Sequence, residues 1–128
     1  MKRDLDLIRD LLLKIEALPA GPTAQYRVDE IDDPVLLAHL EMLIDSGLVR
    51  GNISRSHGAR GDVIGIAGLT WEGHEWIETV RDQRVWNETK RTCIDQAGAL
   101  SFDLARAVAR RLLRMRLTAP AEEPGVRR

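Results

Sequence analysis

Hydrophobic residues recur at helical spacing near the N-terminus. They predict a helix over residues 4–18 through Leu7, Ile8, Leu11, Leu12, Ile15 and Leu18. Pro19 and the Gly21-Pro22 pair end this helix. Residues 23–33 have no helical period, and Gln25–Val28 fits a brief edge strand. A standard helix-turn-helix has a helix in this place, so we expect that helix to be missing or reduced.

The second helical pattern begins with a capping signal. Asp33 can cap a helix, and Pro34 suits its first position. Its apolar face contains Leu36, Leu37, Leu40, Leu43 and Ile44. Gly47 then fits the left-handed conformation that often ends a helix. We therefore expect a helix over residues 34–46.

A hairpin and three further helices follow. Strands over 48–54 and 62–67 flank the polar loop 55–61. Thr70 is the expected cap of a helix that reaches about residue 82. Gly73 lies inside it at a cost of about 1 kcal/mol relative to Ala, which close approach of a neighbouring backbone would explain. We also predict helices over 85–97, ended by Gly98, and 101–117, capped by Ser101.

This order of elements predicts an α+β, mostly α, fold. We expect a winged helix-turn-helix-like domain with a two-strand wing over residues 1–82, and a C-terminal helical extension over 83–117. Residues 118–128 are rich in Pro and Gly and are predicted to be a disordered tail. Trp76 is expected in the core with Trp86, whereas Trp71, beside the wing, is expected to be exposed.

Two sets of motifs resemble known families. "HLEMLIDSGLV", the hairpin and "GLTWEGHEW" resemble the pattern of many bacterial winged-helix repressors. "MKRDLDLIRDLLLKIE" and "IGIAGLTWEGHEWIETVRDQRVWNETK" are similar to the bacterial and phage family named domain of unknown function 2513, over nearly the whole chain up to Leu117. The resemblance implies a winged-helix fold and a bacterial or prophage origin. It carries over no catalytic residue and no cofactor.

The charge is unevenly placed along the chain. Residues 101–128 hold seven Arg and three acids, which leaves −5 on the first 100 residues of a chain with net charge −1. Residues 28–49 contain six acids and no Lys or Arg. Because DNA phosphates repel carboxylates, the helix after Pro34 is not expected to read bases in the usual way. It is either a structural helix with a solvated acidic face or a protein-contact surface formed by Val35, Ala38, Glu41, Met42 and Asp45.

Two basic elements are candidates for nucleic-acid contact. The wing supplies Arg50, Arg55, His57 and Arg60, and the last helix supplies a stripe at Arg106, Arg110 and Arg114. The alternatives remain open: the wing is a solvated loop, and the last arginines pair with acids of residues 28–46. A second, apolar stripe on the last helix would suit packing or dimerisation through Phe102, Ala105, Val108, Leu112 and Met115.

No pattern in the sequence indicates catalysis. His39, His57 and His74 fall in three different elements, and "GHEW" lacks the second His of a zinc-protease motif. Cys93 has no neighbours at metal-ligand spacing and fits a small buried residue. We expect no cofactor, no metal, no small-molecule ligand and no membrane segment. With one cysteine and no signal-peptide pattern, the expected location is the cytoplasm.

Two functional hypotheses follow from these observations. The first is a non-enzymatic regulator of transcription that contacts the backbone of double-stranded DNA through the wing and the last helix, as a homodimer. The second is a protein-interaction module that binds a host or phage protein through the acidic and apolar face of residues 34–45. The charge pattern supports the second hypothesis. The first is supported by analogy, because winged-helix proteins commonly bind DNA.

Overall fold

The computed structural model describes residues 1–21, 24–55 and 61–118, apart from the side chain of Asp29. It is an α+β structure and mostly helical, which confirms the predicted class. Its elements are α1 (Leu5–Glu16), β1 (Ala24–Arg27), a single 3-10 turn (Val28–Glu30), α2 (Pro34–Asp45), β2 (Val49–Ser54), β3 (Val63–Leu69), α3 (Trp71–Val80), α4 (Gln83–Ala97) and α5 (Phe102–Thr118).

The three strands form one antiparallel sheet in the order β1-β3-β2. The sheet is held by β3, which pairs with both of the other strands. Ile64, Ile66 and Leu69 of β3 are buried, so this strand contributes directly to the core. The expected edge strand over 25–28 is confirmed as β1, shifted by one residue. The expected loss of a full helix before α2 is also confirmed, because only the three-residue 3-10 turn forms there.

A side-chain cap marks the start of each of the five described helices, and aspartate or serine provides it in four of them. Asp33 accepts hydrogen bonds from the N–H groups of Val35 and Leu36, and Pro34 occupies the first turn as predicted. Ser101 accepts from the N–H of Leu104, which confirms the cap of α5.

Asp4 and Asp82 cap the other two of these helices. The Asp4 carboxylate accepts from the N–H of Leu7 at the start of α1. Asp82 accepts from the N–H groups of Arg84 and Val85 and so starts α4 at Gln83. The expectation that α3 reaches about Asp82 was therefore wrong, since this residue belongs to the next helix.

The start of α3 is fixed against the turn between α2 and β2. The Thr70 hydroxyl accepts from the N–H of Gly73, 3.1 Å away, and donates to the carbonyl of Gly47. A Cβ atom on Gly73 would collide with the carbonyl oxygen of Leu48. Both expectations are thus confirmed: Thr70 caps α3, and a close backbone approach explains the glycine.

The chain forms two compact units, one from Met1 to Glu78 and one from Thr79 onward. The core of the first includes Leu12, Leu43, Trp76 and Ile77, each at most 2 % exposed. In the second, α4 packs against α5. Its buried residues are Thr79, Val80, Val85, Trp86, Thr89, Cys93, Ala105 and Ala109. The expected domain boundary after residue 82 stays a prediction.

Candidate functional site

The solvent side of β2 carries Arg50, one of the basic residues of the hairpin. Burial alternates along this strand, so Arg50, Asn52 and Ser54 are exposed while Val49 is buried. Arg50 lies opposite Gly68 of β3, at an irregularity in the strand register. Its guanidinium passes close to that glycine, which has no side chain to block it. One face of β2 therefore presents a cation, an amide and a hydroxyl in a row.

Arg55, the residue after β2, is partly neutralised by two carboxylates. Its Nη1 donates to Oδ2 of Asp62 at 3.1 Å, and its Nη2 lies 3.9 Å from Oε1 of Glu41 on α2. The Arg55 side chain is still 60 % exposed. Exposed ion pairs of this kind contribute only about 0–1 kcal/mol, so the guanidinium can exchange these partners for others. His57 and Arg60, the other two wing candidates, lie outside the described residues.

The outward face of α2 is acidic and apolar. Val35 is 42 % exposed, Asp45 is exposed, and Ala38, Glu41 and Met42 are half-buried. No Lys or Arg occurs anywhere in α2. The five predicted contact residues therefore share one side of the helix. Val35 and Asp45, at its two ends, are exposed, and the three residues between them are half-buried.

The basic stripe of α5 is only partly available. Arg110 and Arg114 are exposed, whereas Arg106 is half-buried and already has an interaction within the protein. Ala105 and Ala109 are the fully buried residues of this helix. Of the predicted apolar stripe, Ala105 is buried, Phe102, Val108 and Leu112 are half-buried, and Met115 is 58 % exposed. The use of this stripe for packing or dimerisation stays a prediction.

The comparison with known families comes from sequence. The model of the family described as hypothetical protein (DUF2513) matches residues 2–99. This chain belongs to the DUF2513 family. A relative from Haemophilus influenzae, described as an uncharacterized protein, is 32 % identical over 122 residues, which cover 88 % of this chain and 96 % of the relative. No solved structure matches the chain.

Sequence reasoning did not anticipate the role of His39 in this DUF2513 chain. His39 is fully buried on α2, where its Nδ1 lies 2.7 Å from the carbonyl of Val35 and its Nε2 accepts from the N–H of Asp4 at 2.9 Å. Both nitrogens therefore have backbone partners, and the ring links α1 to α2. The sequence contains no local signal for this contact, because the two residues are 35 positions apart.

Trp71, at the start of α3, is an exposed aromatic residue of this DUF2513 chain. Its side chain is 77 % exposed, as predicted, while Trp76 and Trp86 are each 1 % exposed. Trp71 lines a shallow depression with His74, Glu75 and Glu78. His74 lies 3.9 Å from a carboxylate oxygen of Glu16.

Further features bear on metals and membranes. Within residues 1–21, 24–55 and 61–118, no group of three or more His, Cys, Asp or Glu residues is arranged to hold a metal ion. Cys93 is 2 % exposed, and its burial raises the pKa of the thiol. Of the helices that the structure describes, none has the length and apolar character needed to cross a bilayer.

Proposed function

We propose that this DUF2513 chain is a non-enzymatic winged-helix regulator that contacts the DNA backbone through its β2–β3 hairpin. The observation that carries the proposal is the solvent side of β2, where Arg50, Asn52 and Ser54 alternate outward and Arg55 follows. Side chains of all these types donate hydrogen bonds to phosphate oxygens. A hairpin with such a face can lie along a groove as a two-stranded ribbon.

The topology supports the winged-helix assignment. In winged helices, a short strand after the first helix joins the far side of a hairpin that follows the second helix of the motif. Here β1 follows α1 and pairs with β3, and the hairpin follows α2 directly. The 3-10 turn occupies the place of the motif's first helix. The wing is then the β2–β3 hairpin.

The charge of each element bears on the proposed contact. Arg110 and Arg114 of α5 are exposed, which makes α5 a further cationic candidate. In contrast, α2 presents Glu41 and Asp45, which duplex phosphates would repel. The proposed contact is therefore made to phosphates by the wing, with α2 held away from the major groove.

The test is fluorescence anisotropy of a mixed-sequence 20-base-pair duplex across a salt series. Six phosphate contacts by a dimer give a log–log slope of about −5. We expect Arg50→Ala/Arg55→Ala to weaken binding and flatten the slope by about 2 for each protomer that binds. The matched control is Arg84→Ala/Arg91→Ala, which removes the same charge from exposed positions on α4. Equal losses in both double variants, or no binding at low salt, would overturn the proposal.

A second candidate function is supported by α2. Val35 is 42 % exposed near the start of this helix, and Met42 and Asp45 follow on the same side. An apolar strip edged by acids fits a partner protein with a basic and apolar surface. A photo-crosslinking residue at Ala38 tests it, together with Val35→Asp. The expected crosslink to a specific protein is lost in Val35→Asp and kept in Ile94→Asp, which puts the same charge in place of an exposed aliphatic residue of α4.

A further inference from the structure

An apolar depression of about 220 Å³ lies among α1, β1 and α2. Ile15 and Leu18 of α1 line one wall, and Leu36 and Leu40 of α2 line another. Lys14 and Tyr26 are the polar residues among its described lining. Both are exposed, so they lie at its rim rather than at its floor.

The depression is a consequence of the short 3-10 turn between β1 and α2. A full helix in that position would have a side to pack against α1 and α2. Three residues of 3-10 helix make a single turn and leave these walls open. The segment that follows the turn contributes only one lining residue, Ile31. Leu18 and Leu36 are half-buried, so part of the apolar surface of both helices is accessible from solvent, while Ile15 and Leu40 are buried.

Water gains little from contact with this surface. Apart from Lys14 and Tyr26 at the rim, the described lining residues are aliphatic and offer water no side-chain hydrogen-bond partner. A ligand with an apolar body gains by removing these walls from water.

The rim selects the charge of the ligand. Lys14 is the charged residue among the described lining residues, and it has no ion-pair partner within residues 1–21, 24–55 and 61–118. The Tyr26 hydroxyl can donate a second hydrogen bond. We propose that this depression binds a short amphipathic carboxylate, with its chain on Ile15, Leu36 and Leu40 and its head group paired with Lys14. This site is independent of the proposed DNA contact.

The experiment uses octanoate as the probe, with octanol and octylamine as neutral and cationic analogues of equal chain length. Binding to the full chain is followed by two-dimensional ¹H–¹⁵N NMR. We expect saturable shifts at α1 and α2, and tighter binding of octanoate than of octylamine. Lys14→Gln is expected to weaken octanoate binding about threefold and leave octanol binding unchanged. Lys2→Gln, which removes the same charge at an exposed position outside the depression, is expected to change neither.

A second variant tests the cavity itself. Leu36→Trp places a larger side chain in the space, and we expect it to abolish binding of octanoate and octanol alike. Thermal unfolding shows whether this variant is folded. If it is not folded, the octanoate affinities of Lys14→Gln and Lys2→Gln test the proposal without it. The proposal is overturned by an absence of saturable octanoate binding, by equal effects of the two lysine variants, or by octylamine binding as tightly as octanoate. None of these outcomes depends on whether the chain binds DNA.

Discussion

The imidazole Nε2 of His39 accepts a hydrogen bond from the backbone N–H of Asp4, 2.9 Å away. The other ring nitrogen, Nδ1, lies 2.7 Å from the carbonyl of Val35, one turn earlier in α2. A backbone N–H can only donate and a carbonyl can only accept. Nε2 therefore accepts while Nδ1 donates to the Val35 carbonyl, and the ring connects α2 to the residue that caps α1.

Removing this ring is expected to destabilise the first unit more than removing the cap alone. His39→Ala leaves a cavity and an unpaired N–H at Asp4, and we expect it to cost about 2–4 kcal/mol of unfolding free energy. Asp4→Ala keeps the N–H that meets His39 but loses the side-chain cap, at about 1 kcal/mol. Urea unfolding of both variants makes the comparison. Equal losses would show that the imidazole does not link the two helices.

Gly73→Ala is expected to destabilise the protein although alanine is the better helix former. The new Cβ would meet the Leu48 carbonyl oxygen, which is backbone and cannot swing aside. We expect a loss of about 1–3 kcal/mol from this overpacking, against a gain of at most about 1 kcal/mol from helix propensity. Thermal and urea unfolding measure the difference. Asp95→Ala, at an exposed position of α4, is the control and should change stability by less than about 0.5 kcal/mol.

The sequence predicts the features that depend on neighbouring residues. Asp33 before Pro34, Ser101 and Gly98 act within one turn of their own positions, and each does in the structure what its residue type favours. Gly73 is different in kind. Its placement in a helix signalled a close approach, but the Leu48 carbonyl that it meets lies 25 positions earlier and only the fold identifies it.

Contacts between distant elements could not be derived in this way. Arg55 and Glu41 approach because β2 ends near α2, and no spacing in the sequence indicates it. The predicted apolar stripe of α5 includes Ala105, which is buried, but not Ala109, which is also buried because α5 packs closely against α4 at small residues.

The Asp82 carboxylate makes the stability of α4 depend on pH. The N–H groups of Val85 and Arg84, with help from Arg116, hold its pKa below the usual value. Because the pKa is lower in the folded state, this stabilisation is present above the unfolded-state value of about 3.9 and is lost as pH falls through the folded-state value. Asp82→Asn keeps a capping oxygen and removes the charge.

We therefore expect the stability difference between the wild-type chain and Asp82→Asn to be largest near pH 7 and to shrink below about pH 4. Urea unfolding at both pH values measures it. Asp95→Asn, at an exposed position near the end of the same helix, serves as the control for general charge effects. A difference that stays constant with pH would exclude the charge of Asp82 as its source.

Trp71 should account for nearly all tryptophan emission that is accessible to a neutral quencher. Its side chain is 77 % exposed, and those of Trp76 and Trp86 are 1 % exposed. We expect Trp71→Phe to remove most of the acrylamide-quenchable fluorescence and to shift the remaining emission to shorter wavelength. Stability should change by less than about 0.5 kcal/mol, because an exposed side chain is altered. Strong quenching that persists in Trp71→Phe would show that one of the other tryptophans is open to solvent.

Because Glu41 forms an ion pair with Arg55, its charge is expected to weaken the proposed DNA contact. Glu41 lies 3.9 Å from the guanidinium that we expect to reach a phosphate, so its carboxylate competes with the duplex and repels it. Glu41→Gln should tighten DNA binding about twofold at low salt, and the gain should fade as salt screens the charges. Glu88→Gln removes the same charge from an exposed site on α4 and should tighten binding less. If both variants bind DNA equally well, Arg55 does not contact DNA, and the β2–β3 hairpin is not the DNA-binding element.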